Sequence, residues 1–201
     1  MLTTCCPVPT VLASVVTAVP CPENFGQIQK LVFWRSGNTI GSVATAELEG
    51  TWTVLLAATG DTKALVSPFV AGASITPGEV RQYGGGNDTI DGVPIIMGSE
   101  PSVFEGRMLQ YSQETISKLR ALACEDLEVI FINENGEFGY RLSGTDDVAG
   151  FPIKGFFVSD MAVPGYAEPS YNSIRFMIPA GNMGYWKTSS VTDFALTMLN
   201  S

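Results

Sequence analysis

The stretch QYGGGNDTIDG, residues 82 to 92, gathers the residue types best suited to ligand chemistry in this chain: three consecutive glycines, an asparagine and two aspartates. Three uses fit such a set. A phosphate cradle needs glycines whose backbone N–H groups approach the anion and a helix that starts directly afterwards. Here the glycines run instead into VPII, which is strand-like and contains a proline, and no Lys-Ser/Thr pair accompanies them. A calcium loop needs several oxygen ligands wrapped closely round the ion. Asn87, Asp88 and Asp91 supply some, without the spacing of an EF-hand. The third use, a flexible or partner-ordered loop, is the default reading for Gly84, Gly85, Gly86, Asn87, Asp88 and Asp91. No cofactor and no metal site is assigned.

The remaining residues offer little to catalysis. The sequence contains no histidine, which removes the Ser-His-Asp triad, the Cys-His dyad and histidine-based metal sites. Cys124 closes an amphipathic stretch, where a small buried hydrophobe is the expected role rather than a nucleophile. Carboxylate pairs for glycoside hydrolysis can be drawn from Glu47/Glu49, Glu125/Asp126/Glu128 and Asp146/Asp147. Nothing in the sequence brings any pair into one cleft, and a solvated acidic face is the expectation. The chain therefore reads as a non-enzyme. Trp34 and Trp52 lie inside apolar runs and belong to a core, whereas Trp186, in MGYWKT, has a surface or interface setting.

Composition sets the frame for these residues. A chain of 201 residues with 45% hydrophobic and 15% charged residues suits one globular domain, and 21 glycines with 12 prolines imply many turns, as in β-rich folds. The net charge of −9 argues against general attraction to nucleic acid phosphates or an anionic membrane surface. No run reaches the roughly eighteen apolar residues of a spanning helix. Residues 1 to 24 contain VLASVVTAV, interrupted or flanked by Pro7, Pro9 and Pro20 and preceded by no Lys or Arg. An extended arm is expected there rather than an export signal, followed by a single β-rich domain over 25–201. Cys5, Cys6, Cys21 and Cys124 show no framework spacing and are expected as reduced thiols.

The elements follow from periodicity and punctuation. IQKLVFWR, residues 28 to 35, reads as a strand ended by the turn SGN, and residues 41 to 48 return as a second strand. GTWTVLLAATGD fits either a buried strand or a short helix capped by Thr51 and running through Ala58, with Gly60 beyond its end, and the helix is preferred. Residues 64 to 70 and 79 to 83 are extended around the Pro-Gly turn at 77 and 78. VPIIMG and VFEGRMLQ follow as strands, the second with Phe104, Gly106 and Met108 on one face and Glu105 and Arg107 on the other. The principal helix spans about 112–124, capped by Ser112, with Ile116, Leu119 and Ala123 towards a sheet and Lys118 in solvent. LEVIFIN and EFGYRLS form a hairpin through Asn135-Gly136, with Phe138, Tyr140 and Leu142 facing a core. FPIKGFFVSD, with a bulge at Gly155, and YNSIRFMIP are further strands, and VTDFALTMLNS closes the chain as strand or short helix. The fold class is mainly β, a β-sandwich or barrel with one principal flanking α-helix.

The order strand, helix, hairpin, strand runs from EPSVFEGRMLQYSQETISKLRALA through LEVIFINENGEFGYRLSG to GFPIKGFFVSD. It resembles virion structural proteins of tailed bacteriophages, in particular tail-tube-like and tail-ring proteins of phages of gut Bacteroidetes, including crAss-like phages. The similar region covers most of residues 25 to 200. The resemblance implies a virion subunit, made in the bacterial host cytoplasm, that forms rings with copies of itself in the tail or at the head-tail junction. Other tail or connector proteins would be its partners, and genome DNA would pass through the channel without specific binding. Contacts would come from the loop Gly84 to Asp91 and from an arm spanning Met1 to Pro22. The alternative is a capsid-associated decoration module that binds protein or glycan.

Overall fold

The computed structural model describes residues 25–109, 111–166 and 168–191. In chain order the elements are β1 (Ile28–Arg35), α1 (Val43–Ala46), α2 (Glu49–Ala57), β2 (Leu65–Val66), β3 (Val70–Thr76), β4 (Val80–Tyr83), β5 (Ile95–Ser99) and β6 (Ser102–Leu109). They continue with α3 (Gln113–Ala121), β7 (Leu127–Asn133), β8 (Glu137–Ser143), β9 (Asp147–Ala149), β10 (Phe151–Pro152), β11 (Lys154–Val158), β12 (Tyr171–Ile178) and β13 (Lys187–Ser190). The larger sheet has the order β13-β8-β7-β1-β2, with β9 on β8 and β10 on β7. A second sheet has the order β11-β12-β6-β3, and β4 pairs with β5 alone. The two larger sheets pack as a β-sandwich.

Alternation along β1 and β7 explains the layering. Leu31, Phe33, Val129 and Phe131 point into the sandwich, where they meet Phe104, Ile174 and Phe176 of the second sheet and Ile116 of α3. Val32, Trp34, Ile130 and Ile132 point the other way, towards Ala46 and Trp52 of the first two helices and Phe138 and Tyr140 of β8. Every residue of β7 is buried, as its near-continuous apolar run requires when both faces of a strand are covered. Phe104 and Phe176 stack with ring centroids 4.5 Å apart, and Phe33 meets Phe176 edge-on at 6.3 Å. Six of the largest fully buried side chains are phenylalanines, so aromatic packing dominates this interior.

Residues 43–46 are helical, not the strand expected over 41 to 48. Ser42 sits in extended conformation and its side chain accepts from the Thr45 N–H, a cap that starts a turn. The next helix begins at Glu49, so Thr51 lies inside it rather than at its cap. The Trp52 indole N–H donates to the Ala46 carbonyl at 2.8 Å, which fastens the second helix to the first and lets the ring bury. These two helices cover the outer face of the larger sheet, a layer beyond the principal helix anticipated from sequence.

In α3 the expected cap is present: the Ser112 side chain accepts from Thr115 N–H, and Ile116 and Leu119 are buried. Beyond Ala121 the chain tightens into a 3-10 turn over Leu122–Cys124. The tighter winding shifts the side-chain phase, and Ala123 and Cys124 face solvent, which corrects the buried role expected of both. At the other end of β7, Asn133 Oδ1 accepts from the N–H groups of Asn135 and Glu137, both at 2.9 Å, and closes the expected hairpin. The register of β11 against β12 shifts between Lys154 and Phe157, around Gly155.

Trp186 is packed against the sandwich interior. Its ring stacks on Phe151 at 5.2 Å and Phe131 at 5.5 Å, and Phe25 meets it edge-on at 5.0 Å. A Cβ at Gly139 would fall 2.3 Å from the indole, so only glycine leaves room for the ring there. Trp186→Ala is expected to cost about 3 kcal/mol through the cavity it leaves. Gly139→Leu should displace the ring and destabilise similarly. Urea unfolding of dilute protein measures both; unchanged midpoints would show that the indole contributes nothing to the isolated subunit.

Candidate interaction surface

The glycine-rich stretch forms the tip of the hairpin made by β4 and β5. Between Thr76 of β3 and Ser102 of β6 the chain leaves the second sheet, pairs Val80 with Ser99 and Tyr83 with Ile95, and returns. A backbone bond from Glu100 N–H to the Glu79 carbonyl, 2.8 Å, closes its base. All residues of both strands are exposed. Much of the hairpin is apolar: Val80, Tyr83, Val93, Ile95, Ile96 and Met97 stand in solvent, Ile96 and Met97 at 71% and 69% of full exposure. A two-stranded ribbon with neither face covered is at best marginally stable in water. Six large apolar side chains in one projection also exceed the scattered exposure normal for a surface.

At the tip, Gly84, Gly85 and Gly86 all have positive φ, as does Asp91. The chain makes two consecutive 3-10 turns there, closed by Asp88 N–H to the Gly85 carbonyl at 3.2 Å and Gly92 N–H to the Thr89 carbonyl at 3.1 Å. Gly85 N–H donates to Thr89 Oγ1 at 3.2 Å. The backbone donors of Gly85 and Asp88 are thus occupied within the loop rather than fanned towards one anion. Asn87, Asp88 and Asp91 are exposed. No cluster of His, Cys, Asp or Glu suited to a metal ion occurs among the described residues. The structure therefore brings together six of the seven residues singled out from sequence. The seventh, Trp186, lies apart, against Phe131 and Phe151.

A cleft of about 560 Å³ lies between β2 and α3. Leu65, Phe69, Tyr111, Leu119 and Leu122 give it apolar walls, and Lys30 and Lys118 give it positive charge. The Tyr111 hydroxyl accepts from Phe69 N–H at 3.0 Å and holds the rim. Lys118 is bound to Glu114 at 2.7 Å on the solvent side, and this contact holds the Glu114 carboxyl below its usual range. Lys30 is buried, and loss of solvation lowers its ammonium pKa. Nothing in the sequence pattern of β1 marked this cleft, because it forms only when residues 30, 65–69 and 111–122 meet.

Of the acidic residues considered for catalysis, Glu125, Asp126 and Glu128 are engaged in ion pairs. Arg35 binds Glu125 and Asp61, and Lys154 binds Asp126, whose carboxyl is held below its usual range by that contact. Glu128 is buried, contrary to the solvated face expected for it. Its Oε1 accepts from Arg141 at 3.0 Å, Ser36 Oγ at 3.2 Å and Gly37 N–H at 3.4 Å. Opposite Trp34 in β1, Glu128 is carried inward by the register of β7. Glu47 is bonded to Ser189 at 2.5 Å.

No protein-family model matches the chain, and no curated protein matches it. Among solved structures, the tail of an empty gene transfer agent particle, refined with C6 helical symmetry, is similar at 13% identity and a TM-score of 0.36 over 67% of this chain and 89% of that one. A chain of the native gene transfer agent virion is similar at 14% identity and 0.34, over 60% and 85%. A chain of the six-fold symmetrised anti-feeding prophage baseplate is similar at 12% and 0.33, over 86% and 99%. At these scores the likeness assigns no role to any residue.

Two outcomes follow from the buried charges. Arg141→Ala leaves Glu128 uncompensated in the interior and is expected to cost about 3 kcal/mol in urea unfolding, more than Arg141→Lys. Because burial lowers the Lys30 pKa, the unfolded chain holds more protons than the folded one at alkaline pH below the ordinary lysine value. Stability from this group therefore rises with pH across that window. Lys30→Met should remove that rise; an identical pH profile in wild type and variant would contradict the assignment.

Proposed function

We propose that this protein is a non-enzymatic structural subunit of a tailed-phage virion that assembles with copies of itself into rings, in the tail or at the head-tail junction, around a channel for DNA. The observation that carries the reading is the β4–β5 hairpin. Its six exposed apolar side chains gain burial only from another molecule or from a rearrangement of this one. The projecting element, rather than a cleft with convergent polar groups, is the most developed surface feature of the subunit.

Charge supports the same role. Arg35, Lys118, Arg120, Arg141, Lys154 and Arg175 each bind an Asp or Glu side chain of the same subunit, which leaves the excess of acids to set the outer field. An acidic channel would repel passing DNA and avoid retaining it. The sequence resemblance to tail-tube-like and tail-ring proteins points in the same direction. In this reading the loop Gly84 to Asp91 contacts a neighbouring subunit. Residues 1–24, which lie outside the described residues, act as an arm that reaches other subunits or connector proteins. Phe25, where the described chain begins, is anchored by the Asn133 side-chain amide on its carbonyl and by its ring against Trp186.

Electron microscopy and sedimentation of purified protein test this reading. Wild type is expected to form closed rings or stacked tubes. Ile96→Asp combined with Met97→Asp should leave folded monomers, because each change places a charge where the hairpin would be desolvated. Wild type that stays monomeric at every accessible concentration would contradict the proposal.

A further inference from the structure

The hairpin and the cleft lie at opposite ends of the same two strands. Phe69, on the cleft rim, immediately precedes β3, and Tyr111, on the same rim, follows β6. At their other ends Thr76 and Ser102 lead into the hairpin. Seven strand residues separate the two features by roughly 20 Å at the usual rise per residue. A projection that starts at one end of the sheet and points away from it is badly placed to fold back into a cleft at the other. It is well placed to enter the cleft of a neighbour.

The two surfaces are also complementary. The hairpin presents Val93, Ile95, Ile96 and Met97 behind a tip carrying Asp88 and Asp91. The cleft presents Leu65, Phe69, Leu119 and Leu122 beside Lys30 and Lys118, in a protein whose net charge is −9. Glu114 is the acid bound to Lys118. β2 is moreover the last strand of the larger sheet among the described residues, so its outer edge carries backbone groups free to pair with an added strand.

We propose that the β4–β5 hairpin of one subunit docks into the β2–α3 cleft of a second copy, with its acidic tip against Lys118 and its apolar side chains against Leu65, Phe69 and Leu122. The contact is heterologous: each subunit offers one hairpin and one cleft, which generates a ring if the rotation closes and a filament if it does not. This inference rests on the assembly reading above and identifies the receiving surface that reading leaves open.

Charge exchange tests it, at two exposed positions. Asp88→Lys and Lys118→Glu are each expected to weaken self-association about tenfold or more, measured by sedimentation, because each sets like charges against one another at the contact. Both changes in one chain should restore association, and so should mixing the two single variants. Circular dichroism spectra should show every variant folded at the assay temperature, with at most a small loss of melting temperature for Lys118→Glu, which also breaks the pair with Glu114. If either single variant associates like wild type, or the double variant is not restored, the cleft is not the receptor and the assembly reading stands without it. If wild type does not associate at all, the assembly reading itself has failed.

Discussion

The structure depends on the burial of β7 on both of its faces. A strand with Val129 and Phe131 on one side and Ile130 and Ile132 on the other cannot lie at a surface, so it requires two covering layers. The second sheet with α3 supplies one, through Phe104, Ile174, Phe176 and Ile116, and α1, α2 and Trp52 supply the other. Burying an aliphatic or aromatic side chain of this kind contributes about 1.5–3 kcal/mol, against which individual surface ion pairs are minor. The ion pair that does enter the interior, Arg141 with Glu128, sits at the end of the same strand and keeps the charge there compensated.

The hairpin breaks that rule within the same chain. Its two strands are as rich in Val, Ile and Tyr as those of the body, yet no layer among the described residues covers them. Their short length, five residues at most, and their attachment at one closed base make the ribbon a projection rather than a third sheet of the domain. The central strand is completely covered while the ribbon is bare, so the element that holds the fold is distinct from the one left open to contact. The acidic tip adds a directional element, since an exposed carboxylate favours a basic receiving surface and disfavours the predominantly acidic remainder.

Much of the body was legible in the sequence, where signals were local and repeated. Alternation over VFEGRML placed Phe104, Gly106 and Met108 inward, Ser112 marked the start of α3, and Asn135-Gly136 marked the turn between β7 and β8. Two local departures and one long-range pairing were not legible. Ser42 turned an expected strand into a helical turn, and the 3-10 tightening after Ala121 rotated Cys124 outward. Glu128 became buried through its register opposite Trp34. Composition marks Gly84 to Asp91 only as a loop, and its role as a contact candidate comes from the resemblance. That its flanking strands pair only with each other, and that Lys30, Leu65 and Tyr111 converge on a cleft at the far end of β3 and β6, followed only from the assembled topology.

The central claim is that the β4–β5 ribbon is held in place by another molecule rather than by its own subunit. Amide hydrogen exchange at residues 80–83 and 95–99, followed from dilute to concentrated protein, tests it most directly. The account predicts rapid exchange in dilute protein and strong protection once subunits associate, while β1 and β7 stay protected throughout. Protection of the ribbon equal to that of β7 in dilute monomer, or rapid exchange of the ribbon within an assembled particle, would contradict it.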